Sequence, residues 1–319
     1  RDLHSFPTRR SSDLPTVYWK NQGFRSILKL LPARSLDQGI DYINSIVNTN
    51  LSSRMGAGAL RSFNQAFTLH QMPINLIGVA ISTAFFPQLT EQLSEGEEAR
   101  FHNTFRTALR AIIWIALPVS IIAFFTRGYI VSFINNIGNN TSNSTIATIL
   151  AALILAIFAR SIFHIASRGF YAYQDTKTPF IVSVIAIGLT IILSILLYLS
   201  GYGVFGLGLA QSIGAIIEII ILLLILQYRS HHILLNKAFW KACTRMLFAT
   251  AITGCIAFSM TKFIPLMATD NSLVITVPKF LLITFISILT YIIASFFLNL
   301  AEVKPIINFV KHILFRNLK

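Results

Sequence analysis

The chain has 319 residues, of which 54% are hydrophobic and only 12% charged, and it carries a formal net charge of +14. With a mean hydropathy of +0.67 and an isoelectric point of about 10.1, it lies outside the range of soluble globular domains and among integral membrane proteins. The basic excess does not signal nucleic acid: it is dispersed in short loops between apolar runs, where lipid headgroups are the natural partner, and no basic and aromatic module accompanies it.

The first fourteen residues, RDLHSFPTRRSSDL, are hydrophilic, lack a helical or strand period, and have neither a start Met nor the apolar core of a signal peptide. The stretch HSFPTRRSSDL reads as the in-frame translation of a common sequencing-adapter oligonucleotide. Residues 1–14 are therefore set aside as an assembly artefact, expected to be disordered, with a disordered basic tail as the alternative. On the artefact reading the chain enters in mid-gene at about Pro15. Residues 15–34 follow as a short amphipathic helix, with Phe24, Ile27, Leu28 and Leu31 on one side and Arg25, Lys29 and Arg34 elsewhere, a pattern suited to the cytoplasmic headgroup layer.

Eight apolar stretches come next. The first, about Leu36 to Ser53, contains Asp37, Asp41, Asn44 and Asn48 on one helical face opposite Ile40, Ile43, Ile46 and Val47. In a bilayer that polar stripe turns away from lipid. The second, about Leu60 to Gln88, repeats the pattern with Arg61, Asn64, Thr68, Gln71, Asn75 and Ser82. Two successive striped helices are more simply explained by a shared wet cavity than by isolated interhelical hydrogen bonds. Pro73 and Pro118, inside the second and third spans, each remove a backbone donor and favour a kink.

The remaining spans are about Phe105 to Ile134, Ser144 to Tyr173, Pro179 to Leu199, Val204 to Gln227, Ala242 to Phe263 and Val277 to Leu298, separated by loop signals such as YQDTKTP and SGYG. Lys and Arg number about 17 on one side of such a layout and about 5 on the other. The positive-inside rule then places both ends of the chain in the cytoplasm, and an even number of spans satisfies it.

Charge within the spans is scarce. Arg160 stands mid-span with His164 one turn on, and an arginine there costs about 2.5 to 3.5 kcal/mol on insertion scales, so it must face protein or water. It either contacts an anion such as phosphate or pyrophosphate, or pairs with Glu218, the one acidic residue near the middle of a later span. Glu218 is also a candidate proton carrier, with Gln211 seven residues before it on the same face. Thr190 and Ser194 either offer oxygens to a sodium ion or bond back to the preceding turn. Catalytic constellations are absent, so the chain is not read as an enzyme; no acidic metal-binding loop supports a membrane glycosyltransferase. His231-His232 reads as a solvated pair rather than a metal site, and Cys243 and Cys255 as packing residues without metal-ligand spacing.

Leu31 to Gln227 resembles the C-terminal half of the MviN/MurJ-type lipid II flippases, in the multidrug/oligosaccharidyl-lipid/polysaccharide exporter superfamily. QMPINLIGVAISTAFFPQLTE (Gln71 to Glu91) and SRGFYAYQDTKTP (Ser167 to Pro179) carry the likeness, with GLGLAQS (Gly206 to Ser212) as a weaker third match. The resemblance implies an all-α integral membrane protein of about eight transmembrane helices. A second six-helix lobe (35–227) is followed by a basic cytoplasmic loop (228–241), two extra helices (242–300) and a basic tail (301–319). It implies movement of undecaprenyl-pyrophosphate-linked peptidoglycan precursor across the bacterial cytoplasmic membrane, with membrane lipids and a missing N-terminal lobe as partners.

On that basis Arg61, Asn64, Thr68, Gln71, Asn75, Arg160 and His164 are substrate-binding candidates. Asn48, Thr190, Ser194, Gln211 and Glu218 are candidates for sodium or proton coupling, with no resident metal or cofactor. Family members commonly have an arginine at the place of Thr68, an Asp at that of Asn48, and Asn or Asp at those of Thr190 and Ser194. The losses weaken the case for pyrophosphate and for a strong cation site. They leave two alternatives open: an exporter of polysaccharide-linked lipid or of amphiphilic drugs, and a non-transporting scaffold of the wall-building machinery.

Overall fold

The computed structural model describes residue 39 and residues 42–135, 140–230, 234–267 and 273–304. The adapter-like stretch, the amphipathic helix of residues 15–34, His231-His232 and the tail beyond residue 304 lie outside the described residues. What is described is helical: α1 (residues 42–53), α2 (Ala59–Ser94), α3 (Glu98–Asn135), α4 (Asn140–Ala172), α5 (Lys177–Leu199), α6 (Gly203–Arg229), α7 (Lys237–Phe263) and α8 (Leu273–Phe297), then a 3-10 turn, Ala301–Val303. Seven of these, α2 to α8, are long and apolar enough to cross a membrane. The first expected span is described only as α1, which begins at residue 42.

The hydropathy spans end short of the helices. α3 starts at Glu98 rather than Phe105, because the charged run after Glu98 keeps helical backbone while leaving the apolar layer. The expected loop 228–241 is likewise entered by helix from both ends: α6 runs to Arg229, and α7 begins at Lys237, capped by Asn236, whose side chain accepts from the Phe239 amide at 2.9 Å. Between α2 and α3 the chain reverses at Gly96, whose φ of 76° allows the Glu97 amide to reach back to the Gln92 carbonyl at 2.8 Å.

α4 is the axis of the bundle. Apolar except where Arg160, His164 and Arg168 interrupt it, it packs against α2, α3 and α6, and 61% of its most apolar window is buried in protein. α5 packs on α6, while α7 and α8 pack on α3 and on each other. The C-terminal pair is also fixed to the lobe by polar contacts. Trp114 donates to Ser295 Oγ at 3.2 Å, Arg110 pairs with Glu302 at 2.6 Å, and Arg106 donates to the Leu234 carbonyl at 3.1 Å.

The expected kink in α2 takes a particular form. Pro73 offers no N–H to the Leu69 carbonyl, and two residues later the helix widens into a π segment, Asn75–Val79. Gly78 lies in that segment and abuts α4 so closely that a Cβ there would stand 2.7 Å from Ser161 Cα. In α3, by contrast, the helix continues through Pro118.

Candidate functional site

The two polar stripes meet. A cavity of about 490 Å3 lies between α1, α2, α4 and α6, and its polar lining includes Asn44, Asn48, Asn64, Gln71, Asn75, Arg160, His164 and Gln211. The α1 and α6 walls are joined by a reciprocal amide pair. Asn44 Nδ2 donates to Gln211 Oε1 at 3.3 Å, and Gln211 Nε2 donates to Asn44 Oδ1 at 3.1 Å. Asn48 adds a bond to Asn44 Oδ1 at 2.9 Å, while its own buried Oδ1 has no partner.

Among the described residues, Arg160 is the one lining this cavity with a permanent formal charge. It pairs with Glu218 at 3.2 Å, and a quarter of its side chain remains exposed, against 2% for Glu218. Ser183 Oγ donates to the other Glu218 oxygen at 2.8 Å. Both carboxylate oxygens are thus satisfied on the protein side, as a buried charge requires. The pairing drawn from sequence is present, and it leaves guanidinium surface toward the cavity. An anion contact and a structural pair are therefore compatible roles for Arg160.

Of the substrate-binding candidates, Asn64, Gln71, Asn75, Arg160 and His164 line the cavity. Arg61 and Thr68 do not: both are exposed on α2, and Thr68 bonds back to the Asn64 carbonyl at 2.9 Å. Of the coupling candidates, Asn48 and Gln211 line it, whereas Thr190, Ser194 and Glu218 lie off it. Thr190 bonds back to the Ala186 carbonyl at 2.8 Å, and Ser194 is fully buried with no partner for its hydroxyl. The five therefore do not gather on one centre. Among the described residues no group of three or more His, Cys, Asp or Glu side chains is placed to hold a metal ion.

A second cavity, also of about 490 Å3, lies between α2, α3, α4 and α8, and its lining is almost wholly apolar. Pro73 and Pro118 both face it, with Leu69, Met72, Trp114, Ile115, Val119, Ile122, Ile154, Ile157, Ile288 and Ile292. Thr126 lines it too, but its hydroxyl is turned onto the Ile122 carbonyl at 2.8 Å. Asn44 and His70 are the residues of greatest interest that sequence reasoning did not select as site residues. Asn44 was visible in the α1 stripe, and His70 directly precedes Gln71.

The SRGFYAYQDTKTP segment forms a separate polar cluster at the end of the bundle. Asp175 Oδ1 accepts from the amides of Lys177 and Thr178 at 3.1 and 3.0 Å, which caps α5. Asp175 Oδ2 accepts from Thr178 Oγ1 at 2.8 Å and from Arg229 at 2.6 Å, and Arg229 lies 4.8 Å over the Tyr173 ring. Partial burial opposes ionisation of Asp175, but these hydrogen bonds outweigh it and hold the carboxyl below its ordinary value of 3.8.

The lipid II flippase MurJ family model matches residues 5–278. A lipid II flippase MurJ of Burkholderia cenocepacia is 30% identical over 209 residues, 64% of this chain and 40% of the relative. A protein of Rhizobium tropici named "Probable lipid II flippase MurJ" is 24% identical over 88% of this chain and 52% of its own length. Among solved structures, an inward closed lipid II flippase MurJ superposes with a TM-score of 0.66 at 23% identity, covering 95% of this chain and 57% of that one. An outward-facing multidrug resistance transporter of the MATE family superposes with a TM-score of 0.57 at 14% identity, covering 85% of this chain and 64% of that one. The chain spans about half the length of the curated relatives it matches. With its helical membrane fold and a family model matching most of its length, this chain belongs to the lipid II flippase MurJ family.

Proposed function

We propose that this chain is the C-terminal half of a flippase that carries a lipid-linked peptidoglycan precursor across the bacterial inner membrane by alternating access. The observation that carries the reading is the pairing of a polar cavity with an almost wholly apolar one on either side of α2. An amphiphile with a large polar head and a long prenyl tail needs both environments at once, because neither part tolerates the other's surroundings. The head would lie against Asn64, Gln71 and Asn75, with Arg160 and His164 facing its charge. The tail would lie in the groove bordered by α8. An N-terminal lobe would complete the cavity wall, and a sodium or proton gradient would bias the rocking of one lobe against the other. Both ends of this chain face the cytoplasm in this arrangement, and transport rather than catalysis is its task.

The family position of Thr68 favours one second reading. With no arginine there, Arg160 is the single guanidinium of the cavity lining among the described residues, which also suits an exporter of a less highly charged glycolipid. The test is a binding comparison in the full-length protein between an undecaprenyl-pyrophosphate-linked headgroup and a polyprenyl monophosphate glycan. Tighter binding of the pyrophosphate lipid supports the flippase reading; the reverse order assigns the protein to the second. As a check on the scaffold alternative, converting Asn64, Gln71 and Asn75 together to leucine should abolish growth support, whereas a scaffold would tolerate the change.

A further inference from the structure

We propose that the first turns of α7 bind an anionic phospholipid, with its phosphate over Lys237, Lys241 and Arg245. At 100° per residue these three share one helix face with Trp240, Leu247 and Phe248, an arc of about 160°. Lys237 and Lys241 are exposed, and Trp240 and Phe248 are 58% and 60% exposed. The cations occupy about 12 Å of the helix, and apolar side chains take over beyond them. Cation, amphipathic aromatic ring and apolar side chain thus follow one another as phosphate, glycerol backbone and acyl chain do in a phospholipid. None of these residues lines either cavity, so the site is distinct from that of a transported lipid and independent of the flippase reading.

Two features set this face apart from the other basic residues at the same end of the bundle. The first is the lack of protein partners. Five arginines there are engaged: Arg100 pairs with Glu97, Arg110 with Glu302 and Arg229 with Asp175, while Arg106 donates to the Leu234 carbonyl and Arg168 to Thr83 Oγ1. The side chains of Lys237, Lys241 and Arg245 have no hydrogen bond or ion pair among the described residues, and α7 contains no Asp or Glu. The second is the helix dipole. A helix N-terminus carries partial positive charge, so cations in its first turns are repelled, and no acidic residue stands in the first turn of α7 to offset them. The helix alone gains nothing from this arrangement. A phosphate lying over it is attracted by the side chains and by the helix end together. Because α7 packs on both α3 and α8, a lipid held here would fix the depth of the C-terminal pair in the bilayer.

Trp240 reports lipid at this face directly. With Trp19→Phe and Trp114→Phe it is the single tryptophan of the chain, which is reconstituted in phosphatidylcholine nanodiscs. Phosphatidylglycerol or phosphatidylcholine, each brominated in its acyl chains just below the headgroup, is then titrated in as quencher. Brominated phosphatidylglycerol should half-quench Trp240 at about one tenth of the mole fraction that brominated phosphatidylcholine requires, and high salt should narrow the gap. Lys237→Gln, Lys241→Gln and Arg245→Gln together should remove the preference. Quenching by phosphatidylcholine should stay as it was, which reports that α7 keeps its place in the bilayer. Arg100→Gln, Lys177→Gln and Lys304→Gln remove the same charge elsewhere at that end and should leave the preference intact. Equal quenching by the two lipids overturns the proposal, as does a preference that survives the α7 substitutions. A preference weakened equally by either set also overturns it, because the lipid would then be answering to net charge and not to a site.

Discussion

The two cavities have the same volume, about 490 Å3, and share helices α2 and α4, yet one is lined by amides and a guanidinium and the other by prolines, isoleucines and a tryptophan. The difference shows how a membrane protein keeps unlike environments on either side of one helix. On the polar side, the guanidinium is held by a buried carboxylate behind it, so that Arg160 presents a cationic surface without being an unpaired ion. On the apolar side, Thr126 directs its hydroxyl onto its own helix and presents a methyl group. Partitioning is thus enforced by the protein's internal hydrogen bonds as well as by residue choice.

Erasing the contrast altogether should have the largest consequence. The triple change of Asn64, Gln71 and Asn75 to leucine turns the α2 face of the polar cavity into a second apolar groove, and loss of complementation in a strain depleted of the native flippase is the expected outcome. Breaking the charge arrangement is next. Arg160→Leu strands Glu218 with Ser183 as its remaining side-chain partner. Because Arg160 is a quarter exposed, the cost falls toward the lower end of that for breaking a buried pair, about 3 kcal/mol. Thermal unfolding in nanodiscs would measure it. The double variant Arg160→Leu with Glu218→Leu should recover most of that stability while still failing to bind an anionic head. That outcome separates the structural part of the pair from its part in recognition.

Filling the groove sharpens the comparison from the other side. Ala123→Trp places an indole among groove-lining residues of α3 without touching the polar cavity. It should weaken undecaprenol about ten-fold, equivalent to roughly 1.4 kcal/mol. Binding of a headgroup analogue with a truncated chain should be unchanged. Equal weakening of both would mean that the two cavities behave as one site.

The bundle and half of the site were legible because both rest on periodicity. Apolar runs long enough to span, punctuated by YQDTKTP and SGYG, mark the helices from α2 onward, and the stripes of α1 and α2 point to a shared cavity. The Arg160–Glu218 pair was legible from scarcity, since a mid-span arginine has few possible counterions. Placement of the weaker polar residues was not legible, because serine and threonine satisfy themselves locally and carry no signal of what lies opposite. Arg61 and Thr68 continue the stripe but do not line the cavity, and Thr190 bonds back to its own turn. His70 was hidden in the sequence by its neighbour Gln71. At 100° per residue it stands about 120° from the stripe's centre, at the edge where one environment gives way to the other. Its position was therefore readable only after the groove on the far side of α2 was known. The π segment after Pro73 was hidden for a similar reason: a proline predicts a break in the hydrogen-bond ladder, but the neighbouring helix, here pressed against Gly78, decides how the break is absorbed.

Asp175 provides a polar cluster outside both cavities against which these effects can be judged, and its expected effect is the smallest. It caps α5 and ties the α4–α5 turn to Arg229 at the end of α6. Asp175→Asn keeps an acceptor for the cap and loses the ion pair, at a cost of about 1 kcal/mol or less, since Arg229 is 40% exposed. Because the folded state holds this carboxyl below its ordinary value of 3.8, its contribution is fully present above that value and is lost as pH falls through the lowered one. The difference in unfolding temperature between the unaltered chain and Asp175→Asn should therefore be steady from pH 7 to pH 5 and shrink below about pH 4. A difference that instead grows on acidification would mean that the capping hydrogen bonds do not favour the ionised carboxylate. Undecaprenyl diphosphate binding at neutral pH should not change in this variant, since Asp175 lies outside both cavities.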